Sequence, residues 1–234
     1  MPECQVFDLG LKDYKETLEL QHQLVEQKHR ENLPEILLLV EHNPVITLGR
    51  SSHPENILLD KTQLEQLKIQ LHYIERGGDV TYHGPGQLVA YPIFDLNNYH
   101  QDTHLFLRQL EEVIIKTVES FNLKAGRIKG LTGVWVDGKK VASIGVAAKK
   151  WITFHGLALN VNTDLKYFGY IHPCGMLDKK ITSLSELLKR KVDFAEVKSR
   201  IVEYFSEVFK LRMLKNKDLP LNREAKTLNN SFKI

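Results

Sequence analysis

Cysteines and long apolar runs are scarce in this sequence of 234 residues. The two cysteines, Cys4 and Cys174, are too few for a disulfide framework or for a structural zinc site. No window approaches the ~18 consecutive apolar residues that a transmembrane helix needs, and the start, "MPECQVFDLG", lacks the basic and apolar regions of a signal peptide. These absences favour a soluble protein of the cytoplasm, in which any functional cysteine acts as a free thiol.

A strong charge of one sign is also lacking, because 32 Lys and Arg residues oppose 29 Asp and Glu residues. Basic residues still cluster, at Lys139-Lys140, Lys149-Lys150, Lys179-Lys180 and in "KRK" at 189–191. No aromatic residues alternate with them as base stacking would require, so a nucleic-acid partner is not expected. The clusters are explained either as solvated surface or as a docking surface for an acidic protein.

Helical spacing of apolar residues predicts several helices. The clearest apolar stripe follows Thr103 and consists of Leu107, Leu110, Ile114, Val118 and Phe121. Asp60 with Gln63 three residues later predicts a capping box at the start of a short helix. Further helices are expected over about residues 11–31, after Thr182, and from Asp193 onward.

Short β-rich segments between turn signals predict strands. "EILLLV" (35–40) and "VITLG", joined by the turn-forming "HNP", predict a paired hairpin, while Pro92 indicates that its own strand ends there or lies at a sheet edge. The pair Asp137-Gly138 predicts a second hairpin, and "WITFHGLALNV" a third strand after it. Clustered strands with flanking helices indicate one α+β domain with a mixed or antiparallel sheet, not a doubly wound parallel one.

Glycine is concentrated in one segment, "RGGDVTYHGPGQ", from Arg76 to Gln87. Gly77, Gly78, Gly84 and Gly86 would let a ligand approach backbone N–H groups that side chains would otherwise obstruct. The segment matches neither the P-loop nor the dinucleotide-binding pattern, so phosphate binding is not indicated. It is also longer than the usual hairpin loop of about 2–5 residues. A channel wall is therefore favoured over a flexible connection.

Two histidines, His83 in this segment and His155 in "FHGLALN", are candidates for orienting a ligand, although a lone histidine is usually structural. Neither has a second histidine at metal-ligand spacing with carboxylate support. His100 and His104 lie at a helix start, where solvation explains them better. A metal site is therefore not expected.

Cys174 is a candidate nucleophile, because Pro173 and Gly175 indicate a tight turn that leaves the sulfur accessible. Burial in a core is the alternative. A free thiol is only ~3% thiolate at neutral pH, so a cation that lowers its pKa raises the reactive fraction by up to roughly thirtyfold. Lys139 and Lys140 lie in a predicted strand, where at most one of them faces a pocket. Spacing alone does not show that either lysine meets Cys174.

Five segments in order, from about residue 35 to residue 187, together closely resemble the lipoyl(octanoyl) transferases. They are "LLLVEHNPVITLGR", "RGGDVTYHGPGQLVAYPI", "GVWVDGKKVASIG", "FHGLALNV" and "HPCGM…ITSL". Members of this family move an octanoyl group from acyl carrier protein to a lysine of a lipoyl domain. The resemblance implies the biotin/lipoate protein ligase-like module, with the catalytic domain over residues 1–215 and a polar tail over 216–234.

The resemblance also implies roles for individual residues. Cys174 matches the nucleophile that forms the acyl thioester, and Lys140 matches the lysine just before "VASIG". The substrate-binding residues would be Arg76, Gly77, Gly78, Asp79, Val80, Thr81, Tyr82, His83, Ser143, Ile144, Gly145, Gly156, Leu157 and Ala158.

The implied reaction needs no cofactor of its own, because the donor carries phosphopantetheine on acyl carrier protein. The implied partners are octanoyl-acyl carrier protein and the lipoyl domains of 2-oxoacid dehydrogenase complexes or the H protein of glycine cleavage, with neither nucleic acid nor membrane. Two alternatives are an ATP-dependent lipoate or biotin ligase of the same fold, and a non-catalytic acyl-binding protein.

Overall fold

A mixed sheet flanked by helices forms the part of the chain that the computed structural model describes, residues 1–31, 33–172 and 180–221. The helices are α1 (Tyr14–Glu31), α2 (Lys61–Gln66), α3 (Thr103–Glu119), α4 (Leu184–Leu188) and α5 (Phe194–Phe209). The strands are β1 (Glu3–Lys12), β2 (Glu35–His42), β3 (Val45–Leu48), β4 (Gln70–Tyr73), β5 (Val80–His83), β6 (Gln87–Ile93), β7 (Ala125–Ile128), β8 (Leu131–Val136), β9 (Lys139–Lys149), β10 (Ile152–Asn160) and β11 (Arg212–Lys215). Within these residues, no helix combines the length and apolar character needed to span a bilayer.

The strands divide between two sheets. The large sheet has the order β11-β1-β2-β6-β10-β9-β8-β7, and the small one has the order β4-β3-β5. Pairing in the large sheet is parallel between β11 and β1 and between β1 and β2, and antiparallel from β2 to β7. The expected α+β fold with a mixed sheet is thereby confirmed.

Strand β2 shows how the large sheet is covered on both faces. Leu37 and Leu39 belong to the core formed with α3 and α5, whereas Ile36, Leu38 and Val40 belong to the core formed with α1. Alternate residues of a strand point to opposite faces, so a strand buried on both faces is apolar throughout. This arrangement explains why "EILLLV" carries no polar alternation.

The predicted hairpin between β2 and β3 is wrong. Strand β2 is hydrogen-bonded to β1 on one edge and to β6 on the other, so no free edge remains for the next strand. Strand β3 instead lies in the small sheet between β4 and β5. The "HNP" turn therefore carries the chain from one sheet to the other.

Pro92 lies in an interior strand, since β6 pairs with both β2 and β10, so the edge-strand alternative is wrong. The strand does end at Ile93, one residue later. Pairing of β6 with β10 reaches only Ala90, and beyond it the Thr153 hydroxyl donates to the carbonyl of Pro92 at 2.7 Å. The absence of an N–H on Pro92 therefore costs no hydrogen bond to β10, because the pairing of β6 with β10 ends at Ala90.

Several local predictions are confirmed. Asp60 and Gln63 form the capping box of α2, and α3 begins at Thr103 behind the cap of Asp102. Asp137 and Gly138 both have positive φ, at 48° and 75°, as a tight hairpin turn requires. Strands β1, β7 and β11 were not predicted, and β5 lies within the segment 76–87 that the sequence indicated as a loop. The expected tail over 216–234 lies outside the described residues from position 222 onward.

Candidate active site

A cavity of about 280 Å³ lies between the large sheet and the segment that leads into β5. Its size is near the lower end of the range usual for small-ligand sites, about 300–1,000 Å³. Its lining consists of Tyr14, Arg76, Gly77, Gly78, Asp79, Val80, Thr81, His83, Val89, Tyr91, Leu107, Gly130, Leu131, Thr132, Lys140, Ser143, Ile144, Gly145, Val146, His155, Gly156, Leu157 and Ala158.

The floor of the cavity is a trough of small residues on neighbouring strands. Ser143 of β9 is in register with Ala158 of β10, and Gly145 is in register with Gly156. Residues two apart on a strand share a face, so these four residues lie side by side. Because these side chains are small, the trough leaves room for an unbranched chain.

The roof is the segment containing Gly77 and Gly78, and it rests directly on the floor at one point. The N–H of Gly77 donates to the carbonyl of Val146 at 2.9 Å. A Cβ at Gly145 would lie 2.8 Å from the carbonyl oxygen of Gly77, closer than real Cβ contacts come. Glycine at 145 is thus needed so that roof and floor can meet.

Two charged residues of the roof hold the backbone around the cavity. The buried guanidinium of Arg76 donates to the carbonyl and hydroxyl oxygens of Thr47, at 2.7 Å and 3.0 Å. The carboxylate of Asp79 accepts from the side chain of Asn56 at 2.6 Å and from the N–H of His53 at 3.3 Å. Both side chains therefore shape the site through protein contacts as well as by lining it.

His83 is held as a neutral imidazole. The side-chain nitrogen of Gln87 donates to the carbonyl of Tyr82 and to Asn160, so its oxygen faces Nδ1 of His83 at 2.8 Å. Nδ1 must therefore carry the proton, which leaves Nε2 as an acceptor. Burial lowers the pKa of His83 to about 3, and nearby His42 adds to this effect. His83 is thus uncharged at neutral pH.

His155 occupies an unusual position in β10. Its φ of +56° is left-handed, and the ring is 2% exposed. The described residues offer neither ring nitrogen a hydrogen bond, since the carboxylate of Glu75 is 3.9 Å from Nε2. Burial lowers the pKa of His155, an effect that Glu75 opposes. A strained, neutral imidazole therefore lies beside the trough.

Lys140 lies at the other end of the cavity and is 5% exposed. Its amine is 5.4 Å from the ring centre of Trp135, and a Cβ at Gly133 would lie 2.6 Å from its Cε. Lys139 instead points outward to Glu186, at 3.3 Å. The expectation that only one of the two lysines faces a pocket is confirmed, and that lysine is Lys140.

The backbone joins Lys140 to the segment that follows Cys174. The N–H of Lys140 donates to the carbonyl of Lys180, and its carbonyl accepts from the N–H of Thr182, both at 2.9 Å. On the other side, the N–H of His172 donates to the carbonyl of Asn56 at 2.8 Å. Cys174 itself lies outside the described residues.

The remaining predicted residues divide as follows. Tyr82 does not line the cavity, because alternation in β5 turns its ring to the small-sheet core, where it stacks on Tyr167 at 4.8 Å. Gly84 and Gly86, expected to be channel wall, are also absent from the lining. The other thirteen predicted substrate-binding residues line the cavity, although their role in binding stays a prediction.

Sequence reasoning missed part of the wall. The missed residues are Tyr14, Val89, Tyr91, Leu107, Gly130, Leu131, Thr132 and Val146. Tyr14 and Leu107 belong to helical stripes, and Val89 and Tyr91 to a buried strand, so their spacing indicates core. A cavity wall and a core have the same apolar spacing, so no local signal distinguishes them.

The amino-acid sequence is similar to a known protein family and to proteins of known name. Residues 13–206 match the family model described as lipoyl protein ligase A/B catalytic domain. The chain is 46% identical over 215 residues to an octanoyltransferase of Caldicellulosiruptor saccharolyticus, covering 90% of this chain and 92% of that protein. It is 47% identical over 214 residues to an octanoyltransferase of Solibacter usitatus, covering 92% and 96%.

Solved structures extend the comparison to the fold. A lipoate-protein ligase A bound with ATP matches with a TM-score of 0.78 at 17% identity, covering 98% of this chain and 93% of that one. A bipartite lipoate protein ligase from Thermoplasma acidophilum, studied with its E2 lipoyl domain, matches with a TM-score of 0.75 at 17% identity, covering 99% and 92%. At these identities the likeness establishes the fold alone.

Proposed function

Because the chain belongs to the lipoyl protein ligase A/B catalytic domain family, we propose that it is an octanoyltransferase, which moves an octanoyl group onto a lysine of a lipoyl domain. The observation that carries the proposal is a trough of small residues with the buried amine of Lys140 at one end. The trough suits a straight acyl chain, and the amine suits a proton transfer at the head of that chain. No metal or nucleotide enters the proposed reaction.

In the first step, the thiolate of Cys174 attacks the carbonyl carbon of an octanoyl thioester. A carbon–sulfur bond forms to Cys174, the bond to the donor sulfur breaks, and the donor leaves as a free thiol. The Lys140 ammonium favours the thiolate and supplies a proton to the leaving sulfur.

In the second step, the amine of the lipoyl-domain lysine attacks the octanoyl-Cys174 thioester. An amide bond forms, the thioester bond breaks, and the Cys174 sulfur leaves. Lys140 accepts the proton that the attacking nitrogen loses. Because a thioester is exchanged for an amide, the step needs no ATP.

The donor in this proposal is octanoyl-acyl carrier protein, whose phosphopantetheine arm delivers the thioester. Gly130 and Thr132 support an approach from outside, because both are exposed and both line the cavity. The lipoyl-domain acceptor reaches the same acyl-enzyme after the carrier has left. The two partners therefore use one site in turn.

Intact-mass measurement tests the proposal directly. Wild-type protein incubated with octanoyl-acyl carrier protein should gain the mass of one octanoyl group and lose it again to an added lipoyl domain. Cys174→Ala should gain none. Equal labelling of Cys174→Ala would refute the assigned nucleophile, and an acyl adenylate formed from free octanoate and ATP would support a ligase instead.

The role of Lys140 has its own test. Its backbone N–H and C=O hold residues 180–182, and these bonds survive in Lys140→Ala, so that variant should fold. The pH dependence of Cys174 alkylation should then report a raised thiol pKa. An unchanged thiol pKa would show that Lys140 does not assist ionisation.

A further inference from the structure

The cavity has an open end and a closed end, and they differ in exposure. At the open end, exposed Thr132 adjoins Gly133, whose backbone lies against the side chain of Lys140. At the closed end, the roof is hydrogen-bonded to the floor between Gly77 and Val146. The residues lining the closed end are all at most 7% exposed, namely Tyr14, Arg76, His83, Tyr91 and His155. An acyl chain whose thioester lies at Lys140 therefore points its methyl end at this wall.

The length of the floor can be compared with the length of the chain. Ser143 of β9 is in register with Ala158 of β10, and Ala158 is in register with Val89, which lies two residues before Tyr91 on the same face of β6. From β9 to β6 the floor therefore crosses two strand spacings, roughly 10 Å. An extended octanoyl group has seven carbon–carbon bonds of about 1.5 Å in a zigzag, which gives roughly 9 Å from the carbonyl carbon to the methyl carbon. Two more methylenes add roughly 2.5 Å, which exceeds the floor. A chain that starts above Ser143 and crosses the floor thus reaches the Tyr91 side with about eight carbons and overlaps it with ten.

Tyr91 is the part of the closed end that is fixed most firmly. It is 3% exposed and projects from β6 on the same side of the sheet as Val89 and Ala158. Its hydroxyl is 2.8 Å from Nε2 of His42, whose Nδ1 is 3.1 Å from the carbonyl of Lys12. A carbonyl can only accept, so Nδ1 carries the proton of the neutral ring and the Tyr91 hydroxyl donates to Nε2. This chain of bonds prevents the Tyr91 ring from swinging aside.

We propose that the ring of Tyr91 sets the upper limit of acyl chain length. The proposal rests on the acyl transfer described above and identifies the wall that its substrate meets. Discrimination follows from overlap, because a longer chain would have to displace a buried ring that is hydrogen-bonded in place. One methylene in an apolar pocket commonly changes kcat/KM by about 10- to 200-fold. A drop of at least about tenfold is therefore expected between the octanoyl and decanoyl donors.

The wild-type protein supplies the first test. Acyl-enzyme formation is measured by mass with carrier thioesters of four to fourteen carbons, and kcat/KM should fall sharply above eight carbons. If fourteen carbons react as well as eight, the limit does not exist. If no thioester of any length labels the protein, the proposed acyl transfer fails instead, and the two failures are distinguished.

Two variants then identify the ring. Tyr91→Leu shortens the side chain and should raise the ratio of decanoyl to octanoyl kcat/KM by at least about tenfold. Tyr91→Phe keeps the ring but loses the hydroxyl that holds it, so its ratio should lie between those of the wild type and Tyr91→Leu. If Tyr91→Leu is folded by circular dichroism and keeps the wild-type ratio, Tyr91 is not the limiting wall. If it does not fold, the same ratio is measured in Tyr91→Met, which also removes the ring, and a wild-type ratio there overturns the proposal.

Discussion

Replacing Gly133 with alanine should displace the proposed catalytic amine without removing any titratable side chain. Gly133 is in β8 with φ +135°, and its N–H donates to the buried carboxylate of Glu111 at 3.1 Å. An added Cβ would lie 2.6 Å from Cε of Lys140 and 2.7 Å from the carbonyl oxygen of Ala142. The lysine side chain must therefore move, and the contact with the backbone oxygen must in addition strain the β8–β9 pair and lower stability.

The size of the effect follows from these distances. Ordinary contact for a Cβ begins at 3.4 Å, so the 2.6 Å contact requires Cε of Lys140 to shift by about 0.8 Å. Displacing a catalytic group by about 1 Å can cost about 100-fold in rate. We therefore expect Gly133→Ala to form the octanoyl-enzyme roughly 10- to 100-fold more slowly. We also expect the thiol pKa of Cys174 to rise, because the cation has moved away.

Backbone strain alone must be separated from this effect. Gly138, in the turn of the same hairpin, also has positive φ, at +75°, and a Cβ there would meet nothing within 4 Å. Gly138→Ala should therefore lose roughly 1 kcal/mol of stability and keep the wild-type rate. The assay is single-turnover acylation followed by mass, with urea unfolding on the same samples. Wild-type acylation and wild-type thiol pKa in folded Gly133→Ala would refute the reasoning.

Other perturbations test the buried polar groups around the site. Burial lowers the pKa of His42 to about 4 and that of His83 to about 3, both below the unfolded value. The unfolded chain therefore binds protons that the folded one does not, and stability should fall as pH drops below about 6.5, by roughly 4 kcal/mol at pH 5 for the two rings together. Urea titrations at pH 7 and pH 5 should show this loss roughly halved in His42→Gln or His83→Gln. An equal loss in all three proteins would assign the acid sensitivity to other groups. Glu111 is fully buried, accepts from the N–H of Gly133, and pairs with the partly exposed Arg108 and Arg127 at 2.6 Å and 2.8 Å. Its change to alanine should cost about 1–3 kcal/mol, mainly because the buried N–H of Gly133 loses its acceptor while the arginines stay solvated. A loss below about 0.5 kcal/mol in the same titration would contradict this role.

Much of the fold follows from local signals, because caps, apolar periods and turn pairs act over a few residues. Asp60 with Gln63 and Asp137 with Gly138 need no distant partner to adopt their conformations. Sheet assignment is different, since "EILLLV" and "VITLG" are both apolar and nothing near the "HNP" turn shows that they enter separate sheets. Strand partners are chosen by the whole chain, and β2 found both of its partners elsewhere.

The residues of the candidate site, too, could be predicted from the sequence only in part. The concentration of glycine identified the roof, because so many glycines are unusual in a folded segment. The residue pattern left Lys139 and Lys140 as alternatives, and only the family resemblance selected Lys140. Tyr91 and Gly133 carried no such signal, as each is an ordinary residue of a strand segment. Their importance depends on what lies opposite them, the trough for Tyr91 and the lysine side chain for Gly133. A distance between chain segments remote in sequence cannot be deduced from either segment alone.

Main-chain pairing joins the lysine strand to residues 180–182, which follow the candidate nucleophile in the sequence. Lys140 and Thr182 are 42 positions apart in the sequence. The N–H of Lys140 nevertheless donates to the carbonyl of Lys180, and the carbonyl of Lys140 accepts from the N–H of Thr182, so the two bonds flank Ile181. Asn160 connects this backbone pairing to the histidine. Its side chain donates to the carbonyl of Thr182 and accepts from the side chain of Gln87, which is in turn hydrogen-bonded to His83. The closed end of the trough and its reactive end therefore share one buried hydrogen-bond network. A ligand that moves either end must strain the other, which favours a preformed site over one assembled by the substrate.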